Sequence, residues 1–204
     1  MKVRQTGDAA LLVETGDLST AHRLNTALRN AALPGIVDVV PGERTVLVIT
    51  DASADLDRLA AQLPDLPLPD DTEGNADPVE VPVVYDGADL EEVAQLTGLS
   101  PNEVIQRHSA ATYTVAYLGF SPGFGYLTGL DPALHVGRRA SPRTAVPAGS
   151  VAIAGPYAAV YPSRSPGGWR LLGRSELVLW DVTRDPPSLL RPGTRVRFVR
   201  RGSR

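Results

Sequence analysis

A chain of 204 residues with 43% apolar content has enough material for two modest domains, each with its own core. It has no cysteine, which excludes disulfides, thiolate nucleophiles and cysteine-based zinc sites. The net charge of −3 is divided unevenly: residues 1–137 carry 7 basic and 20 acidic side chains, while residues 138–204 carry 13 arginines and 3 acids, so the distal part suits an anionic substrate or an acidic partner.

The first 63 residues alternate strand and helix signals. LLVET at 11–15 reads as a short strand ending at Gly16, and Asp17 or Ser19 can cap the helix after it. Ala21, Leu24, Ala27, Leu28 and Ala31 then fall on one helical face, and Pro34-Gly35 stops the helix. IVDVV at 36–40 and TVLVIT at 45–50 are β-rich runs joined by a Pro-Gly turn, and Asp55 opens a second helix. Strand, helix, hairpin and helix make a small α+β domain, ferredoxin-like in layout, over residues 1–63.

Residues 64–78, rich in proline and acid and free of base, read as an extended spacer. The second domain, 79–204, opens with the strand VEVPVVY at 79–85. Two helices come next: one opened by Asp89 with Glu92 and closed by Gly98, the other by Ser100, Pro101 and Glu103. The rest is a series of short β runs broken by Gly and Pro (TYTVAYL, VAIAG, AAVYP, WRLLG, LVLWDV and TRVRFVR), a pattern that predicts a barrel or sandwich.

All eleven aromatic residues lie beyond residue 78, and eight of them fall between Tyr113 and Trp169. Three strings concentrate them with Gly, Pro and Arg. In Gly119–Leu127 (GFSPGFGYL), glycines allow close backbone approach to a ligand, and Phe120, Phe124 and Tyr126 can wall a slot beside Ser121, Pro122 and Gly123; a tight barrel corner with inward-packed rings is the alternative. In Ser141–Ile153, Arg143 sits between Pro142 and Pro147 in a stiff loop that also holds Ser150, and a fixed guanidinium binds carboxylate or phosphate by paired bonds; a surface arginine is the alternative. Tyr161–Trp169 (YPSRSPGGW) joins Ser165, Gly167 and Trp169, or forms a hairpin around a buried tryptophan. His108 ends the second capped helix, where the helix dipole favours it and where it can also act as a proton carrier.

Other signals narrow the field. No run of eighteen apolar residues predicts a membrane span, and the first residues do not read as a signal peptide, so the expected location is the cytoplasm. His22, His108 and His135 are far apart, so no metal site is expected. The arginines are dispersed singly, with no nucleic-acid recognition motif. GxSxG, HExxH and Walker A strings are lacking, which points to part of a composite site rather than a self-contained hydrolase.

The strings GFSPGFGYL, PRTAVPAGSVAIAG and YPSRSPGGW, in that order and with Ile105–His108 before them, resemble the 5-oxoprolinase B-subunit family, also called allophanate hydrolase subunit 1. The likeness runs from about residue 2 to residue 200 and extends to the carboxyltransferase region of urea carboxylase. It implies a cyclophilin-like β-barrel after the N-terminal domain, a larger homologous barrel subunit (the C-subunit) and a third subunit as partners, and ATP-dependent opening of 5-oxo-L-proline to L-glutamate. ATP, with magnesium beside it, would be bound elsewhere in the complex. Catalytic roles would fall to His108 and Arg143, and substrate contacts to the three strings. The family also contains a Kip-type inhibitor of a sporulation histidine kinase, so a regulatory binding protein is the alternative; a prolyl isomerase rests on barrel analogy alone. Many relatives carry Gln-Thr-Gly just before Tyr-Pro, where this chain has Gly155–Val160 (GPYAAV), a change that bears on the substrate more than on the fold.

Overall fold

The computed structural model describes residues 1–70 and 77–202, in two units, Met1–Asn75 and Ala76–Arg204. In the first, strands β1 (Lys2–Gln5), β2 (Ala10–Glu14), β3 (Ile36–Pro41) and β4 (Thr45–Thr50) form an antiparallel sheet in the order β1-β2-β4-β3. Helix α1 (Leu18–Ala31) begins at Asp17, whose carboxylate accepts from the Thr20 N–H at 2.8 Å, and α2 (Leu56–Gln62) begins at Asp55, which accepts from Arg58 N–H at 3.0 Å. Leu24 and Leu28 of α1 and Leu59 of α2 meet Leu11, Val13, Val46 and Val48 of the sheet in one core of aliphatic side chains. Strand β1 was not foreseen: with Val3 as its sole apolar residue, it is held by the ladder to β2 rather than by burial.

The segment read as a spacer begins differently from that reading. Leu63–Asp65 form a single 3-10 turn, and Leu66 and Leu68 pack on the N-terminal core. Residues 71–76 of the expected spacer lie outside the described residues.

The second unit contains β5 (Val79–Val83), α3 (Leu90–Thr97), α4 (Pro101–Ala110), β6 (Thr112–Leu118), β7 (Gly125–Thr128), β8 (Arg143–Val146), β9 (Ser150–Ala154), β10 (Tyr157–Val160), β11 (Ser165–Gly167), β12 (Arg170–Arg174) and β13 (Arg195–Arg200). Seven of these strands form a mixed sheet in the order β12-β9-β10-β7-β6-β13-β5, with β5 and β13 parallel. Val84, just past β5, and Arg174 of β12 exchange two backbone hydrogen bonds of 2.9 Å, which bring the sheet edges together into a nearly closed barrel. Helix α4 carries the capping box predicted for it, with the Ser100 side chain and Glu103 satisfying each other's backbone donors. LVLWDV, expected as a strand, is a loop with only a Trp180–Ser188 bridge; Leu179 is buried while Val178 and Val182 are exposed, so the alternation is present without a neighbouring strand to pair with.

Period-two alternation gives the sheet two distinct faces. Val81, Val83, Tyr113, Val115, Leu127, Val151, Ile153, Val160, Leu172 and Phe198 build the larger core. The opposite face of β9, β10 and β12 presents Ala152, Ala154, Ala159 and Leu171, and three alanines leave room there for Phe124, Tyr161 and Trp169, with Val146 beside them. Fully burying rings of this size contributes roughly 1.5–3 kcal/mol each. No described helix is long and apolar enough to cross a membrane.

Candidate functional site

The three strings singled out in the sequence converge on this second face. Strands β8 and β11 pair, placing Ser165 opposite Val146 and Gly167 opposite Arg143. Backbone bonds from Gly149 N to Tyr161 O (2.8 Å) and from Tyr161 N to Ser150 O (2.9 Å) tie the second string to the third. Ring contacts from Phe124 to Tyr161 (5.2 Å) and to Trp169 (5.6 Å) bring in the first. Gly167 is required by packing, since a Cβ there would lie 2.3 Å from the Tyr161 hydroxyl. Burial raises the Tyr161 phenol above its ordinary value, against the opposing effects of a hydrogen bond from the Trp169 backbone and the nearby charges of Arg138 and Arg143.

Beside these rings lies a charged cluster centred on Asp89, which is 1% exposed. Its Oδ1 accepts from Arg139 Nη1 and from Arg143 Nη2, both at 2.7 Å, and its Oδ2 accepts from the Leu171 backbone N–H at 2.7 Å. Glu92, one turn along α3, binds Arg170 Nη1 at 2.5 Å and Arg139 Nη1 at 3.3 Å. Burial pushes the Asp89 carboxyl upward, but the bonds from Arg143 and Leu171 and the charges of Arg143 and Arg139 outweigh it and hold the group below its ordinary value. The guanidinium of Arg138 lies 5.9 Å from the Trp169 ring centroid.

Asp89 corrects its expected role as a helix cap: it stands at the start of α3 but makes no capping bond, because its carboxylate is committed across the fold. Neither Arg139 nor Arg170 was foreseen. An aspartate three residues before a glutamate at a helix start reads locally as a cap, and no nearby residue signals a partner 54 positions away.

The sequence-predicted residues occupy varied positions. Phe120 is 61% exposed and adopts φ +66°, an unusual conformation for a bulky residue. Ser121 and Ser165 are half-buried, each with a hydroxyl lacking a partner among the described residues, and Pro122 and Pro147 are exposed. Gly123 lies under Trp180, and Tyr126 stacks half-buried on Tyr117 with centroids 4.5 Å apart. Ser150 is buried and donates to the Pro147 carbonyl at 2.8 Å. Phe124, Tyr161 and Trp169 are buried in the second core, so they support the site rather than wall an open slot. The glycine-rich loop uses its own donors: Ser121 N–H bonds Gly119 O, Phe124 N–H bonds Ser121 O, and Gly119 N–H bonds Phe124 O. Arg143 is paired with Asp89, not free.

His108 lies in the interior. It is wholly enclosed, with its ring 4.4 Å from Phe198 and its Nδ1 bonded to Tyr85 Oη at 2.8 Å. Burial lowers its pKa to about 3. A neutral imidazole enclosed in this way packs among the aromatic side chains of the larger core.

Two cavities lie away from the three strings. One of about 430 Å³ is lined by Glu103, Gln106, Arg107 and Asp131 among others, and one of about 610 Å³ by Pro82, Val84, Arg174, Glu176 and Arg201 among others. Among the described residues, no group of three or more His, Asp or Glu side chains is placed to hold a metal ion.

Comparison with known proteins adds an independent line. Residues 1–190 match the family model for the carboxyltransferase domain, subdomain C and D. The chain is 45% identical over 202 residues to the 5-oxoprolinase B-subunit of Escherichia coli O157:H7, covering 95% of this chain and 93% of the relative. It is 35% identical over 226 residues to the 5-oxoprolinase B-subunit of Bacillus subtilis strain 168, covering 98% and 92%. The crystal structure of TTHA0988 superposes with a TM-score of 0.84 at 39% identity, over 99% of this chain but only 41% of the TTHA0988 chain.

Proposed function

The chain belongs to the 5-oxoprolinase B-subunit family, and on that premise we propose that it works in the cytoplasm as one subunit of an ATP-dependent lactam hydrolase converting 5-oxo-L-proline to L-glutamate. The observation that carries this reading is the convergence of the three strings on paired arginines at a face where this chain's own rings are already packed. A second polypeptide completes the site there, and Phe120, exposed at the rim, is the aromatic group it covers. The match to only 41% of the TTHA0988 chain supports a companion, since this chain's counterpart there is continuous with further polypeptide. We assign that role to a larger homologous barrel subunit, with a third subunit completing the enzyme. We read the barrel as cyclophilin-like and the N-terminal unit as ferredoxin-like in layout.

An unactivated lactam is a poor electrophile, and ATP supplies the phosphoryl group that turns its oxygen into a leaving group. In this reading ATP and its magnesium are held by another subunit, in keeping with a chain that has no Gly-Lys-Ser/Thr loop and whose Gly119, Ser121 and Phe124 N–H groups are spent within their own turn. With His108 enclosed, the proton carrier also comes from a companion. This chain contributes fixed positive charge that binds and orients an anionic substrate.

The test is reconstitution with the companion subunits. Glutamate release from 5-oxoproline should require both ATP and this chain. Release that continues unchanged when the chain is left out would overturn the reading.

A further inference from the structure

We propose that Asp89 is a positioning residue that holds Arg139 and Arg143 side by side as a receptor for the carboxylate of the substrate. This rests on the reading of the chain as a lactam hydrolase subunit and specifies which end of the substrate it recognises.

The cluster has more positive charge than its own acids balance. Among the described residues, the acids paired with Arg139, Arg143 and Arg170 are Asp89 and Glu92, and Arg138 adds a further charge next to Trp169. Both oxygens of Asp89 are fully engaged, so its position is fixed from three directions: two guanidinium groups and the backbone of β12. The arginines are not used up in the same way. A guanidinium has five donors. Arg143 spends Nη2 on Asp89, while its Nη1 and the Nε of Arg139 are shielded and lack an acceptor among the described residues. The two side chains stay 23% and 30% exposed. A pair serving only to pin α3 to the sheet would need one arginine for one carboxylate. Two guanidinium groups anchored at one shared oxygen, each side chain partly exposed and the cluster carrying more positive charge than its paired acids neutralise, form a receptor for a second carboxylate, while the two unpaired nitrogens face inward.

5-Oxoproline presents two recognisable ends, the lactam that reacts and a carboxylate that does not. Binding the unreactive carboxylate orients the lactam toward the groups that activate it.

The experiment compares 5-oxo-L-proline with 2-pyrrolidinone, which keeps the lactam but has no carboxylate, in the reconstituted complex. The variants are Arg139→Gln, Arg143→Gln and Asp89→Asn. Each should lower kcat/KM for 5-oxoproline about tenfold to a hundredfold, mostly through KM, which is the range for losing charge-assisted hydrogen bonds. Turnover of 2-pyrrolidinone, or its inhibition constant against 5-oxoproline where turnover is too slow to follow, should change by about twofold or less on the same reasoning. Equal losses on both compounds, or no loss on 5-oxoproline, would overturn the proposal and leave the cluster a structural one. If Asp89→Asn fails to assemble, Arg139→Gln at the more exposed position decides the matter. A wild-type complex that releases no glutamate from 5-oxoproline defeats the functional reading itself, an outcome distinct from uniform losses in the variants.

Discussion

Tyr85 Oη and His108 Nδ1 share a hydrogen bond of 2.8 Å at the edge of the larger core, and the imidazole it holds has no other hydrogen-bond partner among the described residues for its Nε2. A histidine enclosed by Tyr85, Tyr113 and Phe198 stays neutral when folded, with its pKa lowered to about 3, but takes up a proton near its ordinary value of 6.5 once the chain unfolds. Between those values the unfolded chain binds more protons, so stability falls as pH drops, by up to about 1.4 kcal/mol per pH unit from this group. Replacing His108 with Leu should lower stability at pH 7 and flatten the acid limb between pH 6.5 and 4 relative to wild type. Denaturant unfolding at four pH values measures both effects; parallel limbs would show that His108 titrates normally in the fold.

Gly167 and Tyr161 form a matched pair, because the phenol hydroxyl passes where any side chain at 167 would stand. Gly167→Ala should cost about 1–3 kcal/mol by overpacking and shift Trp169 fluorescence, since the Trp169 backbone N–H bonds that hydroxyl. Tyr161→Phe removes the obstructing oxygen, so the double variant should be less destabilised than the two single variants added together, with a coupling of about 0.5 kcal/mol or more. Strict additivity in the thermodynamic cycle would show that the close approach carries no energetic weight.

The elements legible in the sequence were those whose signals are local. The capping box at Ser100 and Glu103, the Asp17 and Asp55 caps and the alternation in β4 and β13 each lie within a few residues of the element they determine. Strand β1 and the pair β8–β11 were not, because they hold few buried residues and exist through ladders to partners distant in sequence. At the site, composition marked the aromatic strings, but not which rings would be sealed in: the alanines of β9 and β10 that make room for Phe124 and Trp169 carry no such label. The Asp89 cluster was misread for the same reason, since Leu171, Arg139 and Arg143 meet the carboxylate in space while only α3 adjoins it along the chain.

Phe120 combines exposure with a left-handed backbone, an arrangement that costs about 1 kcal/mol or more for a residue with a Cβ. Its ring has a partial contact with Phe124, at 5.3 Å. Phe120→Gly should therefore leave the isolated chain as stable as wild type or more stable, and about 1 kcal/mol more stable than Phe120→Ala, which loses the ring but keeps the strain. Both variants should lower glutamate release by the reconstituted complex to a similar extent, because both lack the ring that the companion covers. Full activity in both would remove Phe120 from the composite site.

Asp89 should also be the most costly acid to delete from the barrel unit. Asp89→Ala leaves two guanidinium groups and the Leu171 N–H without their acceptor. Breaking such a buried centre costs about 2–4 kcal/mol, at the lower end because the partly exposed arginines regain water. Asp89→Asn keeps an acceptor for Leu171 and should cost less than Ala. The pH dependence has a definite sign: the carboxyl is held below its ordinary value of 3.8, so its contribution is complete above that value and is lost as pH falls further through the folded-state value. Wild type should thus lose stability below about pH 4 more steeply than Asp89→Asn does, and denaturant midpoints compared between about pH 5 and pH 2.5 measure the difference. Identical slopes for the two proteins would mean that Asp89 keeps its ordinary affinity for protons, and that the arginines beside it do not hold it ionised.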